Sequence, residues 1–97
     1  MSTLTAEAKA HHVSVTDDTL AVELTDGRTI SVPLAWYPRL LHGTTEERRN
    51  WRFIGDNVGI HWTDLDEDIS VSNLLLGKPS GEGQNSFKRW LENRTVG

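Results

Sequence analysis

Three runs of strict apolar–polar alternation, broken by turn-forming residues, occupy the first third of the chain. Val13 and Val15 share one face of the first run. Leu20, Val22 and Leu24 share a face of the second, with Ala21, Glu23 and Thr25 opposite. Ile30 and Val32 share a face of the third. A period of two is the mark of a strand with one buried face. The breaks are Asp17-Asp18 and Asp26-Gly27. Asp-Gly between alternating runs is a strong hairpin signal, because glycine accepts a positive φ without strain. Segments 12–16, 20–25 and 28–32 therefore predict an antiparallel three-stranded meander.

Pro33 ends the meander. Leu34, Trp36, Tyr37, Leu40 and Leu41 have helix-like spacing, but Pro38 pushes Tyr37 out of the α region, so two short turns are expected. Thr44-Thr45-Glu46-Glu47 is a capping box that opens a short polar helix over 45–50. Trp51–Ile54 and Val58–Trp62 flank Gly55-Asp56-Asn57 and read as a second hairpin. In its second strand Val58, Ile60 and Trp62 share a face and His61 points the other way. Ser70 then caps a short helix through Leu74, Leu75 and Leu76, which Gly77 and Pro79 stop. Residues 77–86, GKPSGEGQNS, have the composition of a flexible linker. Phe87, Trp90 and Leu91 make 86–94 an amphipathic helix.

The expectation is one α+β domain over 1–97, with a frayed tail (1–9), a core (10–76), a linker (77–86) and the terminal helix (86–94). Ninety-seven residues leave room for one modest core. Four Trp in that length substitute for size, since each can bury a large area. Phe87 and Trp90 either fold back on this core or dock in a partner's groove.

Several kinds of chemistry are excluded. There is no Cys, which rules out disulfides, thiolate catalysis and iron–sulfur clusters. The net charge is −4 with no basic stripe, so neither nucleic acid nor an anionic membrane is an expected partner. No apolar run approaches the roughly 20 residues of a membrane span, and no signal peptide is visible. A cytoplasmic location is expected. No cofactor motif is present, and no cofactor is expected.

GIHWTDLDEDIS, residues 59–70, is the most chemically dense stretch. Residues 56–67 have the length of a calcium loop, but Val58, Ile60 and His61 stand where ligands and glycine are needed. His61, Asp64, Asp66 and Asp68 could supply metal ligands, yet no motif such as H-E-x-x-H supports them. Asp66, Glu67 and Asp68 could supply an acid–base pair. Their structural role is to precede the Ser70-capped helix, where negative charge meets the positive end of its dipole. No nucleophile elbow or phosphate loop is present.

The run DGRTISVPLAWYPRL, then TTEERRNW, GIHWTDLDEDISVSNLLLG and SFKRWLENR, covering about residues 10–94, resembles a bacterial family, domain of unknown function family 2442. The resemblance implies a small α+β domain with an N-terminal sheet. Some members carry an added helix-turn-helix, which implies gene regulation. Others are encoded beside a second small protein, which implies toxin–antitoxin-like pairs. Nothing after residue 76 here is long enough for a helix-turn-helix. The resemblance carries no catalytic residues.

Among the segments shared with that family is Trp36-Tyr37-Pro38-Arg39-Leu40. Arg39 is expected to make a bidentate pair with Asp66 or Asp68. The functional expectation is a non-enzymatic protein-binding or regulatory module, antitoxin-like toward a neighbouring small protein. Its contact residues would be Arg39, His61, Trp62, Asp66, Glu67, Asp68, Phe87 and Trp90. Exposed sheet edges and a detachable helix also permit a homodimer. The rival is a small enzyme or metal-binding domain built on His61 and the Asp64–Asp68 loop.

Overall fold

The computed structural model describes residues 8–96. The described residues form two three-stranded antiparallel sheets that share one core, with four α-helices around them. The first sheet is the expected meander: β1 (Ala10–Val15), β2 (Thr19–Leu24) and β3 (Thr29–Pro33), in that order. Val13 lies opposite Val22, and Val22 opposite Ile30. This register puts the apolar set on one face, where Val13, Leu20, Val22, Leu24 and Val32 are buried. Gly27 closes the β2–β3 turn at φ 95°. A bulge between Ala10 and His12 shifts the phase of β1, so Ala10 is buried although simple alternation would turn it outward.

Residues 1–7 of the expected frayed tail lie outside the described residues. Its last two, Ala8 and Lys9, are tied down. Ala8 packs on the core, and the Lys9 carbonyl accepts the Thr25 amide at 2.9 Å.

A 3-10 turn (Leu34–Trp36) and α1 (Pro38–Leu41) are the two short turns that Pro38 requires. Gly43 follows because a Cβ there would come within 2.9 Å of the Leu65 side chain. The helix α2 (Thr45–Arg49) carries the full capping box. Thr44 Oγ1 accepts the Glu47 amide, and Glu47 accepts the Thr44 amide.

The second sheet has a strand more than the hairpin read from the sequence. It comprises β4 (Trp51–Ile54), β5 (Gly59–Trp62) and β6 (Glu67–Ser70). Glu67 and Asp68 are therefore strand residues, not a lead-in to a helix. The chain reverses between β5 and β6 because Leu65 is sunk into the core and Asp66 adopts φ 50°. Ile69 then lies opposite Ile60, and Asp68 opposite His61. One apolar residue in four is too little for alternation to reveal this strand.

The β4–β5 turn joins the two sheets. Gly55, Asp56 and Asn57 all have positive φ, which these residue types tolerate. That geometry lets the Ala10 amide donate to the Asn57 carbonyl at 2.9 Å while Asn57 Nδ2 donates to the Ala10 carbonyl at 3.0 Å.

Ser70 caps α3 (Val71–Leu75), as expected, by accepting the Asn73 amide. Gly77, at φ 71°, ends it. The Gly77 amide bonds the Leu74 carbonyl, and the Lys78 amide bonds that of Asn73. Of the expected linker, 77–86, residues 84–86 already belong to the terminal helix; no regular element occupies 78–83, but that segment is held to the body. Ser80 N–H donates to the Trp36 carbonyl, and Tyr37 Oη–H to the Lys78 carbonyl.

The terminal helix, α4 (Gln84–Val96), lies against its own domain. Both Arg94 Nη atoms donate to the Glu47 carboxylate, at 2.7 and 2.9 Å. The guanidinium groups of Arg39 and Arg94 both lie over the Trp90 ring, 5.3 and 4.7 Å from its centroid. Phe87 stacks on Trp90 and tilts against His42.

Glu47 thus serves two helices at once. Its carboxyl is held down at about 2, first by the Arg94 hydrogen bonds and then by the Thr44 amide. A carboxyl whose folded pKa is depressed stabilises the fold above its unfolded value, and that contribution is lost as pH falls from about 4.5 toward 2. Glu47→Gln should lower stability at neutral pH by about 1–2 kcal/mol and flatten this part of the acid-unfolding curve. Denaturant titrations across the acid range would check both effects.

Candidate functional site

The acid-rich stretch does not gather its side chains into one centre. His61 Nδ1 pairs with Asp68 across the β5–β6 ladder, on the outer face of the sheet. Asp64 accepts Asn50 Nδ2 at 3.0 Å. Asp66 projects into solvent, 87% exposed. Glu67 turns the other way, half-buried beneath α1 and the 78–82 segment. Among the described residues, no group of three or more His, Asp or Glu side chains could hold a metal ion.

Trp62, expected at a contact surface, is fully enclosed and offers a partner nothing. It faces the core with Ile60, and its Nε1–H donates to the Arg48 carbonyl at 3.0 Å. Phe87 and Trp90 are half-buried against the domain itself, so only part of each ring faces outward.

Arg39 does form a bidentate pair, but with a different acid. Its Nε and Nη2 donate to the Glu82 carboxylate, the closest contact being 2.6 Å. Nη1 donates to the carbonyls of Leu65 (3.3 Å) and Asp66 (3.2 Å), while the Asp66 carboxylate stays 3.8 Å away. Asp68 is absent because its side chain lies on the other face, with His61. Glu82 was not among the expected site residues. Its only sequence signal was a lone acid in a glycine-rich stretch, 43 residues from Arg39.

Glu67 is where these features meet. It lines a partly open concavity of about 100 Å³ with Tyr37, Asp68, Ser70, Lys78 and Ser80. It also lines an open cleft of about 280 Å³ with Arg39, Asp66, Gly81, Glu82 and Ser86. Burial pushes its carboxyl up to about 7. Arg39 pulls it back, and Glu82, Asp68 and Asp66 add to the rise. Tyr37 is raised as well, by burial and by the Glu67 charge. Groups with such displaced protonation are enriched at functional sites, although structural networks displace them too.

The sequence matches the family model described as "Protein of unknown function (DUF2442)" over residues 10–80. The chain belongs to this family. The match stops short of the 10–94 span over which shared motifs were read, so Glu82 and α4 lie beyond it. No curated protein matches. Two solved structures are similar. One is a protein of unknown function from Rhodospirillum rubrum ATCC 11170, 23% identical with a TM-score of 0.67, covering 79% of this chain and 95% of that one. The other is an uncharacterized protein from Chromobacterium violaceum, solved by solution NMR. It is 19% identical with a TM-score of 0.65, covering 75% of this chain and 69% of that one. At these identities the likeness shows the fold alone. Among the described residues, no helix is long and apolar enough to cross a membrane.

Two predictions follow the Arg39–Glu67 geometry. Arg39→Lys should cost about 1–3 kcal/mol in denaturant unfolding, because an ammonium cannot serve a carboxylate fork and two carbonyls together. A melting curve identical to that of the parent chain would refute this role. Glu67 has the opposite sign to Glu47. With a raised folded pKa, the unfolded state releases its proton first, so stability falls as pH rises from about 4.5 to about 7. Glu67→Gln should therefore stabilise the domain by about 1–3 kcal/mol at pH 8 and leave it unchanged near pH 4. Thermal melts at the two pH values measure the difference.

Proposed function

We propose that the domain is a protein-binding module without chemistry of its own, and that it holds a partner presenting a basic surface. One observation carries this reading. The β5–β6 turn is anchored by Leu65 in the core and by Arg39 on two carbonyls, yet it projects Asp66 into solvent, between the exposed Asp64 and Asp68 in sequence. Carboxylates on a fixed backbone meet a complementary surface without first paying to order a loop. Complementary charge also speeds encounter and suppresses wrong partners.

The biological form of this reading is antitoxin-like. A small basic protein encoded beside this one would have its charged surface masked. The net charge of −4 fits that role. Cytoplasmic location belongs to the same proposal.

The rival reading, a small enzyme or metal-dependent site using His61 and Asp64–Asp68, draws on one observation, the near-neutral Glu67 carboxyl in a cleft. A thermal melt raised by Zn²⁺, Mn²⁺ or Mg²⁺ would favour its metal form.

The test is affinity capture of the tagged chain from its own host, beside a variant carrying Asp64→Asn, Asp66→Asn and Asp68→Asn. The expected result is a small basic protein retained at low salt by the parent chain and lost from the variant. Retention of nothing specific, or of the same protein by both forms, counts against the reading.

A further inference from the structure

Among the described residues, the outer edge of β6 has no partner strand. The phase of the ladder follows from one bond, the Val71 amide to the Val58 carbonyl at 2.9 Å. With Ile60 opposite Ile69 and Trp62 opposite Glu67, residues 67 and 69 direct their backbone groups at β5. Asp66, Asp68 and Ser70 direct theirs outward. The Asp66 carbonyl is taken by Arg39. The Asp68 amide and carbonyl have no hydrogen-bond partner among the described residues, because β6 pairs with β5 alone.

The 78–81 segment faces this edge. It bonds instead to Trp36 and Tyr37, and it makes no backbone hydrogen bond to β6. Between the two lies the concavity of about 100 Å³, bounded by Asp68 and Ser70 on one side and Ser80 and Gly81 on the other. It reaches Glu67, where the open cleft of about 280 Å³ begins.

We infer that this slot takes an extended basic segment of the protein partner, added as a fourth strand alongside β6. The inference rests on the binding-module reading and names the contact within it. Exposed edges accept extended peptides through main-chain bonds, with alternate side chains setting specificity. The chemistry on each side of the slot selects positive charge. The Glu67 side chain lies on the cleft side. Asp68, 65% exposed, lies on the opposite side, and Asp66, 87% exposed, stands at the mouth. A strand alternates its side chains between the two faces, so basic residues at successive positions would meet a carboxylate on each. An acidic strand would be repelled by these carboxylates, and a purely apolar one would bring Glu67 no counter-charge.

The probe is an acetylated, amidated peptide of Lys-Lys pairs separated by single Thr residues, which puts Lys on both faces of an added strand, titrated into the ¹⁵N-labelled full chain at low salt. A matched peptide, N-methylated at alternate residues, keeps the charge and removes main-chain donors. The expected result is amide shifts at Asp68, Ser70, Ser80 and Gly81. Exchange of the Asp68 amide should slow by about tenfold, the scale of one added hydrogen bond. The N-methylated peptide should bind at least several-fold more weakly, and Glu67→Gln should also weaken binding of the first peptide. Equal binding of both peptides, or shifts spread over all exposed acids, overturns strand addition while leaving a charge-driven binding module intact. No shift anywhere at millimolar peptide also overturns it, and the capture experiment then decides the broader reading separately.

Discussion

The Arg39 guanidinium ties three separate parts of the chain to α1. It sits on α1, in the middle of the sequence. Two of its nitrogens grip Glu82 in the segment before α4, and the third reaches the Leu65 and Asp66 carbonyls in the β5–β6 turn. Its face covers Trp90 on α4. A planar cation can do all three at once because its donors lie at the edge of the plane and leave the faces free. With the charge of Arg39 engaged by Glu82, Glu67 receives only partial compensation for its burial, and its carboxyl stays near 7. One side chain thus fixes the turn that carries the acids and the segment that walls the cleft, and it tempers the effect of burial on the residue between them.

Two small sheets could have formed two weak cores. They form one because the Ala10–Asn57 exchange of hydrogen bonds and the β1 bulge bring the apolar face of the first meander against Ile60, Trp62 and Ile69 of the second. Trp62 contributes the largest of the fully buried side chains. Its Nε1–H needs a partner inside the protein, and the Arg48 carbonyl at the end of α2 provides it. The helix capped by Thr44 and Glu47 is therefore positioned by a β5 side chain at one end and by Arg94 of α4 through Glu47.

Local rules made much of this legible in the sequence. Asp26-Gly27, the Thr44–Glu47 box, the Ser70 cap and the Gly77 stop each act within a few residues, and each appears as read. Alternation placed Trp62 on the same face as Ile60, which already argued for burial and against a role at a surface. What escaped depends on distance or on weak signal. β6 has one apolar residue, so its pairing with β5 is set by a turn conformation at Asp66 that periodicity does not encode. Glu82 meets Arg39 across 43 residues, and composition alone marked its surroundings as linker. The bulge at His11 inverts the phase of β1 upstream of the alternating valines. Of the expected site, Arg39, Glu67 and Asp66 converge as neighbours of one cleft. His61 and Asp68 pair on the opposite face of the sheet.

Glu67 carries the last step. A carboxyl raised to about 7 opposes folding at neutral pH, and a glutamine or an apolar residue there would not. A bound cation would change the balance, because an opposite charge in a poorly solvated cleft favours the ionised carboxylate and draws its pKa down. Binding and deprotonation would then be linked, each promoting the other. The free domain would hold a proton that a basic partner displaces. On the proposed reading, the stability lost at Glu67 in the free chain returns as partner affinity, and that affinity rises as pH climbs through 7. A Glu67 carboxyl serving packing alone would show no such coupling.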